Sequence, residues 1–304
     1  VTHSRTTIKA ATGIVAALVV VALVLLLVPT TKKSELPDDG QADLSADVQR
    51  FALGMSTESG YTQPTPAQRA AIGDGVRRVL DGRPREAEDV LAPVGYTIRR
   101  LADTATQRAF YEISDRAAVT RGWGRILVDI DPKVHLGIEI PHPKADLDSE
   151  SLGTGLFRKV PGSVLVVAGA HRRSGEQADM AHTTDSVFQT VHELLIQRKL
   201  PVVQLHGYQN ESAPDSDVVV SAGPELHSAY VDRIAQRLES AGLSVCRPWV
   251  TGCPGLEGTT NVQARFAVAR GGDFVHVEVS RDIRDTPESR DRVVSALARQ
   301  AVGQ

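Results

Sequence analysis

Four short stretches of the sequence collect side chains that can bind a metal, carry a proton or hold an anion. I-P-H-P-K-A-D-L-D-S-E carries His142, Asp146 and Glu150, and G-A-H-R-R-S-G-E-Q-A-D-M-A-H carries His171, Arg172, Arg173, Asp179 and His182. Q-L-H-G-Y carries His206 and Tyr208, and F-V-H-V-E-V carries His276 and Glu278. Three imidazole or carboxylate donors can hold zinc and leave a fourth position open for water. A further carboxylate can take the proton of that water, and an arginine fork can hold a substrate carboxylate or a developing oxyanion. On residue type and order, His142, Asp146 and His206 are the candidate ligands of one Zn2+ ion. Glu278 is the candidate base, and Arg172 or Arg173 the candidate anion clamp.

Each residue also has a plainer reading. His142 stands between two prolines and can simply shape a turn, and His206 can be a core histidine. Asp146, Asp148, Ser149 and Glu150 suit the start of the helix suggested from Ser151. Arg172 and Arg173 can be a solvated pair, and His192 in V-H-E-L-L reads as a helix-face residue. Asn261 and Gln263 in G-T-T-N-V-Q are weak substrate-binding candidates. Glu278 is the hardest to dismiss, because a carboxylate in an apolar strand is costly unless paired, hydrogen-bonded or used.

The elements that must position these groups are legible in the periodicity. A helix is predicted over 66–81 and a short one from Arg85; β-rich runs start at Tyr96, Arg108, Gly124 and Val134. From Ser163 onward, Val- and Leu-rich strands alternate with amphipathic helices at Asp185, Ser228 and Pro287; strands fall at Pro201, Asp217, Ser244 and Phe274. That alternation predicts an α/β fold, with a mainly parallel or mixed central sheet and helices on both faces. In such sheets ligands bind beyond the carboxyl ends of the strands, which is where His142, His206 and Glu278 fall.

Residues 1–9 read as a short cytoplasmic tail and 10–30 as a transmembrane signal anchor, because no charge interrupts Ala10–Thr31 and about 20 apolar residues span a bilayer. A cleaved signal peptide is the rival, but V-P-T-T-K-K lacks a small-residue cleavage site. Residues 31–60 read as a linker, 61–130 as the α+β N-terminal part of the domain and 131–304 as its core. The expected location is therefore a single-pass membrane protein with its catalytic domain extracytoplasmic. Cys246 and Cys253, close together in a Pro/Gly-rich loop, are a disulfide candidate suited to an oxidising compartment. A formal charge of −3 and only 4% aromatic residues argue against a nucleic-acid partner.

Taken in order, the four stretches resemble the zinc carboxypeptidase superfamily and its relatives, the N-formylglutamate amidohydrolases and poly-γ-glutamate hydrolases. P-H-P-K-A-D resembles the family's first metal-binding element and His171-Arg172 its substrate-binding pair. Q-L-H-G-Y looks like its second metal element, and V-H-V-E-V-S-R-D like the strand carrying its base. The resemblance spans about residues 134 to 285. It implies metal ligation by His142 and His206, a base at Glu278, substrate contacts at Arg172, His171 and Tyr208, and room beside the metal at Gly207. The family spacing is His-x-x-Glu, whereas here the first acid is Asp146, four residues on, with Glu150 in reserve. Asp179 and His182 either orient a ligand or join the metal site. The implied substrate is a peptide or an acylated amino acid, those derived from the cell wall included. The alternatives on the same fold are a non-catalytic module for an anionic or cell-wall ligand, and a metal-assisted phosphohydrolase.

Overall fold

The computed structural model describes residues 1–2, 36–58, 60–116, 121–130, 133–253 and 255–301. The signal-anchor expectation for 10–30 lies outside the described residues; among those described, no helix is long and apolar enough to cross a membrane. The unit from Leu36 onward is compact. Its strands are β1 (Asp38–Ala42), β2 (Tyr96–Asp103), β3 (Ala109–Asp115), β4 (Arg125–Asp129), β5 (Leu136–Ile140), β6 (Ser163–Val167), β7 (Val202–Tyr208), β8 (Val218–Ser221), β9 (Val245–Cys246) and β10 (Phe274–Ser280). They form one ten-stranded sheet in the order β1-β2-β3-β4-β6-β5-β7-β10-β8-β9. Its centre, β6-β5-β7-β10, is parallel throughout. The pairs β2-β3, β3-β4, β4-β6 and β10-β8 are antiparallel, so the sheet is mixed.

The helices are α1 (Leu44–Leu53), α2 (Pro66–Leu80), α3 (Pro84–Leu91), α4 (Ser149–Lys159), α5 (Val187–Gln197), α6 (Ala229–Ser240), α7 (Pro248–Thr251), α8 (Val262–Val268), α9 (Arg281–Asp285) and α10 (Pro287–Ala301). Two apolar clusters flank the sheet. One gathers buried residues of α1, α4, α6 and α10, and the other those of α2, α3, α5 and α8. Central strands with both faces covered must be apolar on both, which is why S-V-L-V-V in β6 is buried at every position.

The linker expected over 31–60 is corrected from Asp38 onward. D-D-G-Q-A looks like a turn but pairs with β2 as an edge strand. Asp43 caps α1 by accepting from the Ala46 amide, and Leu44, Val48 and Ala52 put one apolar stripe of α1 into the core. The polar, turn-rich composition belongs to the exposed side of an edge element. Leu44→Ala should therefore lower stability by about 2–4 kcal/mol, read as a lower urea midpoint with an unchanged m value. An unchanged midpoint would return this segment to a linker.

Candidate metal centre

His142 lies two residues beyond β5, and His206 and Glu278 sit near the carboxyl ends of β7 and β10. Register places Glu278 opposite His206 and His276 opposite Gln204, so all four side chains share one face. Asp146 joins them through a turn in which its amide donates to the His142 carbonyl at 3.0 Å. Lys144, inside that turn, has φ of +64°, a left-handed conformation that lengthens the turn by one residue. This is how His-x-x-x-Asp still brings its acid round to the histidine. The Lys144 ammonium donates to the carbonyls of Leu53 and Met55 at 2.9 and 2.5 Å, so the end of α1 holds the turn.

One oxygen, Asp146 Oδ2, lies 3.2 Å from His142 Nδ1 and 3.4 Å from His206 Nδ1. Donors about 2 Å from a tetrahedral zinc ion stand about 3.3 Å apart. The three donor atoms all fall within 4.8 Å of one another, and all three residues are buried. The donor set and spacing fit zinc, and His142, Asp146 and His206 would hold it. The far nitrogens are held as well. His142 Nε2 meets Asp179 Oδ1 at 2.8 Å, and His206 Nε2 meets Gln204 Oε1 at 2.9 Å. Both partners are acceptors, so each imidazole keeps a proton on Nε2 and turns Nδ1 to the centre, where a bound metal would take the Nδ1 lone pair.

Behind His206 runs a buried polar chain that the sequence reading missed. Gln204 accepts from Asn261, at 2.5 Å, and donates to Glu139 Oε2 and Gln263 Oε1. Glu139 Oε1 takes His192 Nδ1 at 2.9 Å, with both residues fully buried. His192 is therefore a partner of Glu139, and Asn261 and Gln263 belong to this support. The available signal was Glu139 in L-G-I-E-I, an acid in an apolar strand like Glu278.

A cavity of about 300 Å³ opens beside two of the donors, His142 and His206, within the range of small-molecule sites. Its walls include His142, His206, Arg172, His182, His276, Glu278 and residues of the 255–261 segment. A larger groove of about 930 Å³, between α4, α6 and α10, contains none of these residues. Among the described residues, nothing hydrogen-bonds the buried Glu278 Oε2, and its Oε1 lies 3.4 Å from His276 Nε2. Arg172 is gripped by Asp179 Oδ2, with its Nη1 3.3 Å from His142 Nδ1. His182 bridges Asp179 at 3.1 Å and Thr260 at 3.1 Å. Asp179 and His182 thus orient His142 and Arg172 from outside the donor set.

Other candidates lie elsewhere. The Tyr208 hydroxyl donates to the Ser216 carbonyl and packs with Val219 and Cys253, so it does not face the cavity. Arg173 is exposed, and neither it nor His171 lines the cavity; the Arg173 amide donates to His171 Nδ1. Glu150 is buried in the first turn of α4, outside the donor group, and burial pushes its carboxyl up. Gly207 does not make room for the metal: a Cβ there would fall 2.3 Å from the guanidinium carbon of Arg284. Cys246 and Cys253 form a disulfide.

No protein-family model matches the chain, and no curated protein matches it. Solved structures similar to it include a gene product of Agrobacterium tumefaciens, at 14% identity over 56% of this chain and 90% of that one, with a TM-score of 0.41. A bacteriophage poly-γ-glutamate hydrolase matches at 13% identity over 55% of this chain and 83% of its own, with a TM-score of 0.41. A tripeptide-bound cell shape determinant of Helicobacter pylori matches at 14% identity over 57% and 52%, with a TM-score of 0.37. At these scores the likenesses carry no argument about activity.

Electrostatics sets how a metal would enter. Burial opposes charge on His142, but the hydrogen bond and charge of Asp146, together with Asp179, raise it to about 9. Burial and the neighbouring His276 push His206 down to about 4. Burial works against the Asp146 carboxylate, yet His142 and His206 hold it well below the usual range. Without metal, the raised value on His142 stabilises the fold fully below about 6.5, and that contribution is lost as pH rises through about 9. Metal takes the Nδ1 lone pair, so binding expels the His142 proton within that window. Zinc affinity should rise about tenfold per pH unit between about 6.5 and 9, with about one proton released near pH 7.5. Calorimetry in buffers of different ionisation enthalpy measures this, and zero proton release would remove His142 from the ligand set.

Proposed function

We propose that this chain is a zinc-dependent hydrolase of amide or peptide bonds in carboxylate-bearing substrates. The observation that carries the reading is the convergence of His142 Nδ1, Asp146 Oδ2 and His206 Nδ1 beneath a cavity walled by Glu278 and Arg172. Zinc bound there would polarise the scissile carbonyl and lower the pKa of water. Glu278, with one carboxylate oxygen unpartnered, takes the proton of the attacking water and delivers it to the leaving nitrogen. Arg172 pairs with the substrate carboxylate, and Asp179 fixes the direction of its fork. The substrate class is a peptide C-terminus, an acylated amino acid or a cell-wall stem peptide. The non-catalytic alternative rests on the His-x-x-x-Asp spacing; the left-handed Lys144 turn, which brings Asp146 to His142 despite that spacing, supports the catalytic reading.

The same proposal places the domain outside the membrane, tethered by residues 10–30. Its supports are the uncharged run from Ala10 to Thr31 and the Cys246–Cys253 disulfide, a bond that persists in oxidising compartments.

Protein purified without chelators should hold one zinc per chain, by elemental analysis. No zinc, and no uptake on titration, would end the metal reading. Glu278→Gln should keep the zinc and lose turnover by about 10²–10⁴-fold; a variant as active as the parent would strip Glu278 of its role.

A further inference from the structure

Arg284, on α9, is among the largest fully buried side chains, with 1% of its surface exposed. A buried guanidinium normally meets a carboxylate. Among the described residues this one makes no ion pair, and its donors end on three main-chain carbonyls. Nε donates to Val279 at 3.0 Å, Nη2 to Tyr208 at 2.9 Å and Nη1 to Leu147. Leu147 follows Asp146, Tyr208 lies two residues beyond His206, and Val279 follows Glu278. One planar fork therefore ties the backbones of the segments that carry the acidic ligand, the second histidine and the base. Gly207 completes the contact. Its amide donates to Asp146 Oδ2 at 3.3 Å, and only the absence of a Cβ lets its backbone lie against the guanidinium.

We infer that Arg284 is a positioning residue that sets the spacing of Asp146, His206 and Glu278, with Gly207 as its obligate neighbour. Its role in metal affinity rests on the zinc reading above, but the clamp itself does not. Five donors in a rigid plane reach three carbonyls from three separate nitrogens, whereas the three donors of an ammonium all leave one nitrogen and do not span the same positions. The charge also lies behind the site, within the field of Asp146 and Glu278.

The test uses the full chain with Arg284→Lys, Arg284→Met, Gly207→Ala and the double variant Gly207→Ala/Arg284→Met. Zinc affinity is measured by chelator competition, global stability by urea unfolding, and local opening by hydrogen exchange. Arg284→Lys should weaken zinc by about 10–100-fold. Exchange should rise together in segments 144–148, 206–209 and 278–281, with the urea midpoint changing far less than that of Leu44→Ala. Gly207→Ala should weaken zinc in the parent and add less in the Arg284→Met background, where the planar guanidinium is gone and the flexible methionine end can move aside. Parent-like zinc affinity and exchange in folded Arg284→Lys would overturn the inference, as would additive effects in the double variant. If the parent binds no zinc, the metal reading fails and the exchange pattern alone decides the clamp.

Discussion

The centre depends on keeping one carboxylate charged in a place where charge is expensive. Asp146 is buried, and a carboxylate taken from water without partners costs several kcal/mol. Its Oδ2 faces two imidazoles and one backbone amide, from His142, His206 and Gly207. Each partner arrives on a different segment. The turn after β5 brings the acid round to His142, β7 presents His206 and the amide beside it, and Arg284 closes the arrangement from behind. Shifting any of these segments by an ångström would leave a buried charge short of a partner. The carboxylate thus enforces the geometry that a metal also requires.

The parallel centre of the sheet explains why these groups can be held so firmly. Glu139, Gln204, His206, His276 and Glu278 share one face across β5, β7 and β10, a polar stripe inside a sheet covered on both sides. Such a stripe is tolerable only when its atoms are satisfied. Gln204 uses its amide fully, accepting from His206 and Asn261 and donating to Glu139 and Gln263. His192 gives Nδ1 to Glu139 and rests Nε2 among Phe266 and Phe274. Glu278 and His276, which line the cavity beside His206, each keep one buried side-chain atom, Oε2 and Nδ1, without a hydrogen-bond partner among the described residues.

Much of this was legible in the sequence, for reasons that particular residues make plain. Runs such as S-V-L-V-V and V-H-V-E-V have the length and β-branching of buried strands, and His206 and Glu278 stood out as polar groups at strand ends. The helices predicted from Pro66, Arg85, Asp185, Ser228 and Pro287 are all present. What failed depended on contacts between distant residues. Tyr208 turns to the Ser216 carbonyl, a partner that no spacing announces. Arg284 in R-D-I-R-D looks like any surface arginine until two strand-end carbonyls, of Tyr208 and Val279, and the Leu147 carbonyl of the turn after Asp146 converge on it. The segment from Asp38 to Leu53 read as a linker because an edge strand keeps its polar side.

The segment from Asp38 to Leu53 bears on the site itself. Lys144 pays for its left-handed backbone, a conformation costing of order 1–3 kcal/mol, with ammonium bonds to carbonyls at the end of α1, where the helix dipole favours a cation. The N-terminal segment is therefore part of what lets Asp146 reach His142. On the opposite side, the cavity wall from Gly255 to Asn261 is braced differently. The Cys246–Cys253 disulfide anchors its approach, Ser221 donates to the Glu257 carbonyl at 2.5 Å, and Asn261 is fixed to Gln204. Between these anchors the wall combines small or short residues, Gly255, Gly258, Thr259 and Thr260, with the longer, acidic Glu257. The floor is thus determined by buried charge and hydrogen bonds, while the wall is held at its ends and left narrow in between. Such a division suits a site whose catalytic groups stay in place while the shape of the wall selects what reaches them.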